Sequence, residues 1–140
     1  MTVIFDAETI KLVALFSELA GVRVRDCVRF PPGSQTARQL LFILEPGEQQ
    51  KIKPGARQRL QKLLSKQLKI IEYTPLLEAF VRAIVAPARL ASFKNKEGDL
   101  ILEAADLRSR GLLIGAVGQN LKGFEAILKR HFDIKSIRVS

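Results

Sequence analysis

The segment GLLIGAVGQNLKGF, residues 111–124, holds the side chains and bare backbone best suited to chemistry on an anion. Gly115 and Gly118 bracket Ala116 and Val117 between two apolar stretches. A glycine inside a helix costs about 1 kcal/mol against alanine, so a pair marks a turn or a close approach to the backbone. A helix starting near Gln119 and Asn120 offers main-chain N–H groups without intrahelical partners, at the positive end of its dipole. Glycines before such a helix let anionic oxygens reach the main chain with no Cβ in the way. Arg108, Arg110 and Lys122 add a field that favours phosphate, while Ile114, Leu112, Leu113, Leu121 and Phe124 tie both helices to a core. The chemistry is therefore the holding of a sugar-phosphate backbone. Ala116 and Val117 bring no charge, so affinity would rest on amides, dipole and neighbouring cations.

The elements that position this loop belong to an internal repeat. Sliding the chain by 64 residues lays LVALFSELA (12–20) on LLEAFVRAI (76–84), matching apolar stripes at helical spacing. The same offset lays LQKLLSKQLKI (60–70) on FEAILKRHFDI (124–134). Two segments agreeing on one offset divide the chain into two units, 1–73 and 74–140. Each reads as a helix (7–20 or 75–86), two extended segments (22–30 and 38–44, or 88–94 and 99–105), a short helix, a longer helix and a closing strand. Thr74 reads as the N-cap of the second unit's first helix, with Pro75 at its first position. NKEGD (95–99) is a hairpin turn, and PPGSQTAR (31–38) its longer counterpart. The order α-β-β-α-α-β, twice, predicts an α+β fold with helices packed on one face of a small mixed sheet.

At offset 64, KIKP (51–54) faces GAVG (115–118), so the first unit lacks the G-x-x-G pattern. Pro54 has no N–H and Lys51 carries a Cβ, which denies a ligand the same open backbone. Lys51, Lys53, Arg57 and Arg59 could still hold phosphates by charge along the predicted helix 57–69. The first unit is then a degenerate copy that steers or extends the track.

Composition supports a polyanionic partner. Lysines and arginines number 23 against 14 acids, a net charge of +9. An apolar share of 47% is ample for a core. The longest apolar run is LLFIL, far short of the roughly 18 residues a membrane span needs, and the first residues lack a secretory pattern. Cys27, the single cysteine, excludes an internal disulfide and fits a reducing cytoplasm. Catalysis has no footing: the acids are scattered, and neither a P-loop nor a nucleophile elbow is present. One histidine and one cysteine make a metal site improbable, and no cofactor or small-molecule substrate is implied. His131, ending a helix, reads as a capping or packing residue, and Cys27 as a buried apolar one. Aromatics for stacking are few, so base contacts would fall to aliphatic side chains such as Ile114 and Leu102.

G-x-x-G between two helices, after a hairpin and before a closing strand, in a basic protein, is the layout of a KH module, whose loop clamps about four single-stranded nucleotides. GLLIGAVGQNLKGFEAILKRHFDIKSIRV resembles the second KH domain of the NusA-like transcription factors, particularly their short archaeal form. ALFSELAGVRVRDCV and IIEYTPLLEAFVRAIVAPARL resemble the opening helix and strand, and the inter-domain junction, of that family. The resemblance covers nearly the whole chain. It implies two tandem type II KH domains, without the polymerase-binding N-terminal and S1 domains of bacterial relatives. It implies binding of single-stranded nascent RNA in transcription elongation, termination or antitermination, with the transcription machinery as a further partner. A ribosome-associated or RNA-processing KH protein would share every physical feature, and a KH-fold protein-interaction module would share the fold alone.

Overall fold

A computed structural model describes residues 7–30, 39–115 and 118–140, the side chain of Phe30 excepted. The long hairpin 31–38, and Ala116 and Val117 of the glycine loop, lie outside the described residues. The chain divides into two compact units between Thr74 and Pro75.

In the first unit, α1 (Ala7–Ala20) precedes β1 (Val24–Phe30) and β2 (Gln39–Leu44). A single 3-10 turn, Gln49–Lys51, leads to α2 (Ala56–Leu64) and β3 (Gln67–Glu72). The sheet order is β1-β2-β3, with β1 antiparallel and β3 parallel to the central β2. Alternation along the strands sends Leu40, Phe42 and Leu44 to one face, where they form a core with Phe16 and Ala20 of α1 and Leu60 of α2. Phe16 stacks on Phe42 with ring centroids 4.3 Å apart. Cys27, opposite Phe42 in the register, joins this core.

The second unit runs α3 (Leu77–Val85), β4 (Leu90–Lys96), β5 (Asp99–Ala104), α4 (Leu107–Ile114), α5 (Gln119–His131) and β6 (Ser136–Val139). Its sheet, β4-β5-β6, repeats the mixed pairing. Each first hairpin carries an irregularity at the same place, between Val24 and Asp26 and between Leu90 and Ser92. Phe80, Val81 and Ile84 of α3, Leu100 and Leu102 of β5, and Ile127 and Leu128 of α5 are buried. His131 is buried too, its ring 6.0 Å from that of Phe80. The molecule is thus α+β, with two small mixed sheets.

Three local expectations are corrected. The first unit has no short helix before its loop; of the eleven residues between β2 and α2 only Gln49–Lys51 turn helically, as the 3-10 turn. The helix expected over 57–69 stops at Leu64, because Ser65 turns into the left-handed region (φ 53°). Beyond it the apolar period changes from helical spacing to two: Leu68 and Ile70 belong to the core, and residues 67–72 pair with β2. Thr74 does not cap α3, whose N-cap is Leu76 in extended backbone without a side-chain hydrogen bond.

Candidate nucleic-acid interface

The helix leading into the glycine loop is anchored at its start. Asp106, the N-cap of α4, accepts a hydrogen bond from the Ser109 N–H (2.6 Å) and another from the Arg89 guanidinium (2.5 Å). Ser109 is buried, and its hydroxyl accepts from the Arg89 N–H at 2.9 Å. These bonds, that of the Ser109 amide foremost, hold the Asp106 carboxyl below its usual 3.8.

At the far end of α4 the two glycines take different parts. The Gly115 N–H closes the helix on the Gly111 carbonyl at 2.8 Å. Its backbone (φ 71°, ψ 179°) lies in a region that only glycine occupies at ease. A Cβ there would stand 2.6 Å from Cγ of Asn120. The Asn120 side chain fills that space because its Nδ2–H donates to the Leu112 carbonyl at 2.8 Å. Asn120 therefore ties the first turn of α5 back to the last turn of α4, and the bareness of Gly115 serves this internal tie. Gly118, the N-cap of α5, is also left-handed (φ 72°, ψ 16°), yet a Cβ on it would meet nothing within 4 Å. Of the two, Gly118 is the one that leaves main chain open to an outside molecule.

On the two helices that flank the loop, Arg108, Arg110, Gln119 and Lys122 are exposed and Ile114 is half-buried. Among the described residues no ion pair engages Arg108, Arg110 or Lys122. Leu113 and Phe124 are buried on either side of the loop and fix both helices. Leu102 cannot touch a base: it is fully buried in the sheet. Ala116 and Val117, also candidate contacts, lie outside the described residues.

The first unit retains half of this geometry. Gly55, the N-cap of α2, is left-handed (φ 78°, ψ −6°) and open in front, as Gly118 is. Three residues earlier, where the second unit has Gly115, stands Ile52, packed against the core. Matching apolar stripes at offset 64 hid this, because the caps correspond at offset 63. In place of Asp106, Glu72 receives the N–H groups of Gly47 (2.7 Å) and Gln49 (3.3 Å) at the 3-10 turn. Buried Glu48 accepts from Arg23 at 2.7 Å and pairs with Lys51 at 3.5 Å; the Arg23 bond keeps its carboxyl below 4.5. All four cations foreseen as an RNA track are exposed, and two of them, Lys51 and Arg57, have polar partners within the fold. Lys51 has its ion pair, Lys53 lays its side chain over Gly21, and Arg57 donates to the Leu68 carbonyl at 2.8 Å. Arg59 is exposed, with no ion pair among the described residues.

Among the described residues no three metal-ligating side chains gather, and no helix is long and apolar enough to cross a membrane. No protein-family model matches the chain. Its fold is similar to that of a solved structure described as the crystal structure of APE1850, with a TM-score of 0.69 and 20% identity over 97% of this chain and 100% of that one. In sequence it is 25% identical over 141 residues to the "Probable transcription termination protein NusA" of Thermoplasma acidophilum, covering 96% of this chain and 93% of that protein. The protein of the same name from Halobacterium salinarum is 25% identical over 145 residues, the full length of both chains. This similarity runs from end to end and supports a kinship with the NusA-like proteins.

Proposed function

We propose that this chain is a single-stranded RNA-binding protein of transcription elongation, termination or antitermination, built of two tandem type II KH domains, 1–73 and 74–140. It grips the RNA backbone at the Gly115–Gly118 loop of the second domain, through Gln119, Asn120, Lys122, Arg108, Arg110 and Ile114. It acts by binding and not by catalysis, without cofactor, in the cytoplasm beside the transcription machinery.

One observation carries this reading: an open, left-handed glycine at the start of a thirteen-residue helix, with Arg108, Arg110 and Lys122 on the two flanking helices exposed and in no ion pair among the described residues. A phosphate placed there meets N–H groups with no intrahelical partner, a favourable dipole and uncompensated positive charge at once. The names of the full-length relatives supply the cellular setting. Asn120 contributes as the tie that holds the loop's ends, and its Oδ1 is not used in its bond to Leu112.

The test is a salt titration of binding to a labelled single-stranded RNA. For Z phosphates neutralised, affinity should fall with a log-log slope near −0.7Z. Changing both Ala116 and Val117 to Asp adds two like charges to the track, at a cost of several kcal/mol. Binding should weaken about a hundredfold or more with the melting temperature unchanged. A double variant that binds RNA as the parent does would refute the loop's role. Crosslinking in cells and sequencing the attached RNA then separates nascent transcripts from ribosomal RNA.

A further inference from the structure

The stretch 49–71 carries seven lysines and arginines and no acid. It includes all of α2, where Ala56 and Leu60 are buried and Arg59, Lys62 and Leu63 are exposed. Arg59 and Lys62, three residues apart, share one side of the helix, and among the described residues neither has an ion pair. A groove lined by Gln61, Ser65, Lys66 and Gln67 opens at the end of the same helix. Counting from the capping glycines sharpens the point. Arg59 is the fourth residue beyond Gly55, as Lys122 is beyond Gly118. The seventh residue is Lys62 in the first unit but Glu125 in the second, where it pairs with Lys129 at 2.8 Å. The second unit neutralises this side of its helix from within; the first leaves it charged.

We propose that the outward face of α2, centred on Arg59 and Lys62, is a second contact for the sugar-phosphate backbone of RNA, distinct from the glycine loop. It rests on the RNA-binding reading above and adds the surface by which the first unit takes part. Closely spaced unpaired cations repel one another, and a phosphate between them relieves that repulsion while releasing its counterions. With no carboxylate on α2 to compete, the contact is independent of base sequence. Lys51 and Lys53, before α2, and Arg57, in its first turn, are not its main members; Lys51 and Arg57 already have partners within the fold.

The experiment is the same titration, with a homopolymeric single-stranded RNA of about 20 nucleotides, on the full chain carrying Arg59→Gln and Lys62→Gln. Loss of two contacts at ~0.7 each should make the slope shallower by about 1.4 and weaken binding near 0.1 M salt on the order of tenfold. The charge-preserving pair Arg59→Lys and Lys62→Arg should keep the parent slope. Circular dichroism should be unchanged, since both side chains point away from Leu60. If the Gln pair keeps the parent's slope and affinity while the loop variant loses binding, α2 holds no RNA and this proposal alone is wrong. If the parent shows no salt-dependent RNA binding, both readings fall together.

Discussion

Both units bring a chain into its last helix through a left-handed glycine, Gly55 in one and Gly118 in the other. They differ in what comes before. The second unit prepares the approach with an eight-residue helix, capped by Asp106 and tied off by Asn120 over a bare Gly115. The first uses a three-residue turn, a carboxylate borrowed from β3 and a half-buried isoleucine packed against the core. The open glycine is thus separable from the helix pair: a copy can lose the pair and its tie and still present a bare helix start. The two glycines of the pattern are likewise unequal, one serving the fold and the other left open.

The sharpest way to break this contrast is at Gly115. Alanine there adds a strained backbone, about 1–3 kcal/mol, and pushes the Asn120 amide off its carbonyl, for roughly 1 kcal/mol more. Denaturant unfolding should show a loss near 3 kcal/mol, partly recovered by adding Asn120→Gly. Gly55→Ala and Gly118→Ala should be milder and alike, about 1–2 kcal/mol each, because only the left-handed backbone opposes them. A marked difference between those two variants would show that the caps are not equivalent. Smaller again is Asp106→Ala, expected to cost about 1 kcal/mol through the loss of the α4 cap.

A last effect, read as a pH dependence, contrasts the closing strands. Lys69 in β3 stands beside buried Leu41, and burial lowers its pKa to about 8 from 10.5. Arg138 in β6 is exposed beside Ile101. Between pH 8 and 10.5 the unfolded chain holds the Lys69 proton more tightly than the folded one, so stability should rise with pH across that window. Lys69→Met should flatten the rise and Arg138→Met should not. A parent melting temperature that stays level over this range would show that Lys69 is not desolvated.

Much of this was legible in the residues. Phe16 and Phe80, Leu60 and Phe124 exposed the repeat because apolar stripes recur wherever two helices bury the same face. The bounds of α1 and α5 followed from the same periodicity. What escaped depends on single residues. A hydrophobic stripe is wide enough to tolerate a slip of one position, and that slip concealed the match of Gly55 with Gly118. Ser65 in a left-handed conformation carries no signal of its own, and the leucine stripe continues across it. The tie from Asn120 to Leu112 is a contact between two helices, and nothing in the spacing of an asparagine announces it. The spacing does not single out Lys62 either, since a charge on a solvated helix looks alike whether or not a carboxylate faces it.

The Asn120 tie has a consequence for variation. It fastens the ends of the loop to one another through atoms outside the stretch 116–117, together with the Gly118 N–H on the Gly115 carbonyl at 3.3 Å. A buckle of this kind makes position 120 costly to exchange: a library randomised there should return mostly asparagine among its well-folded members.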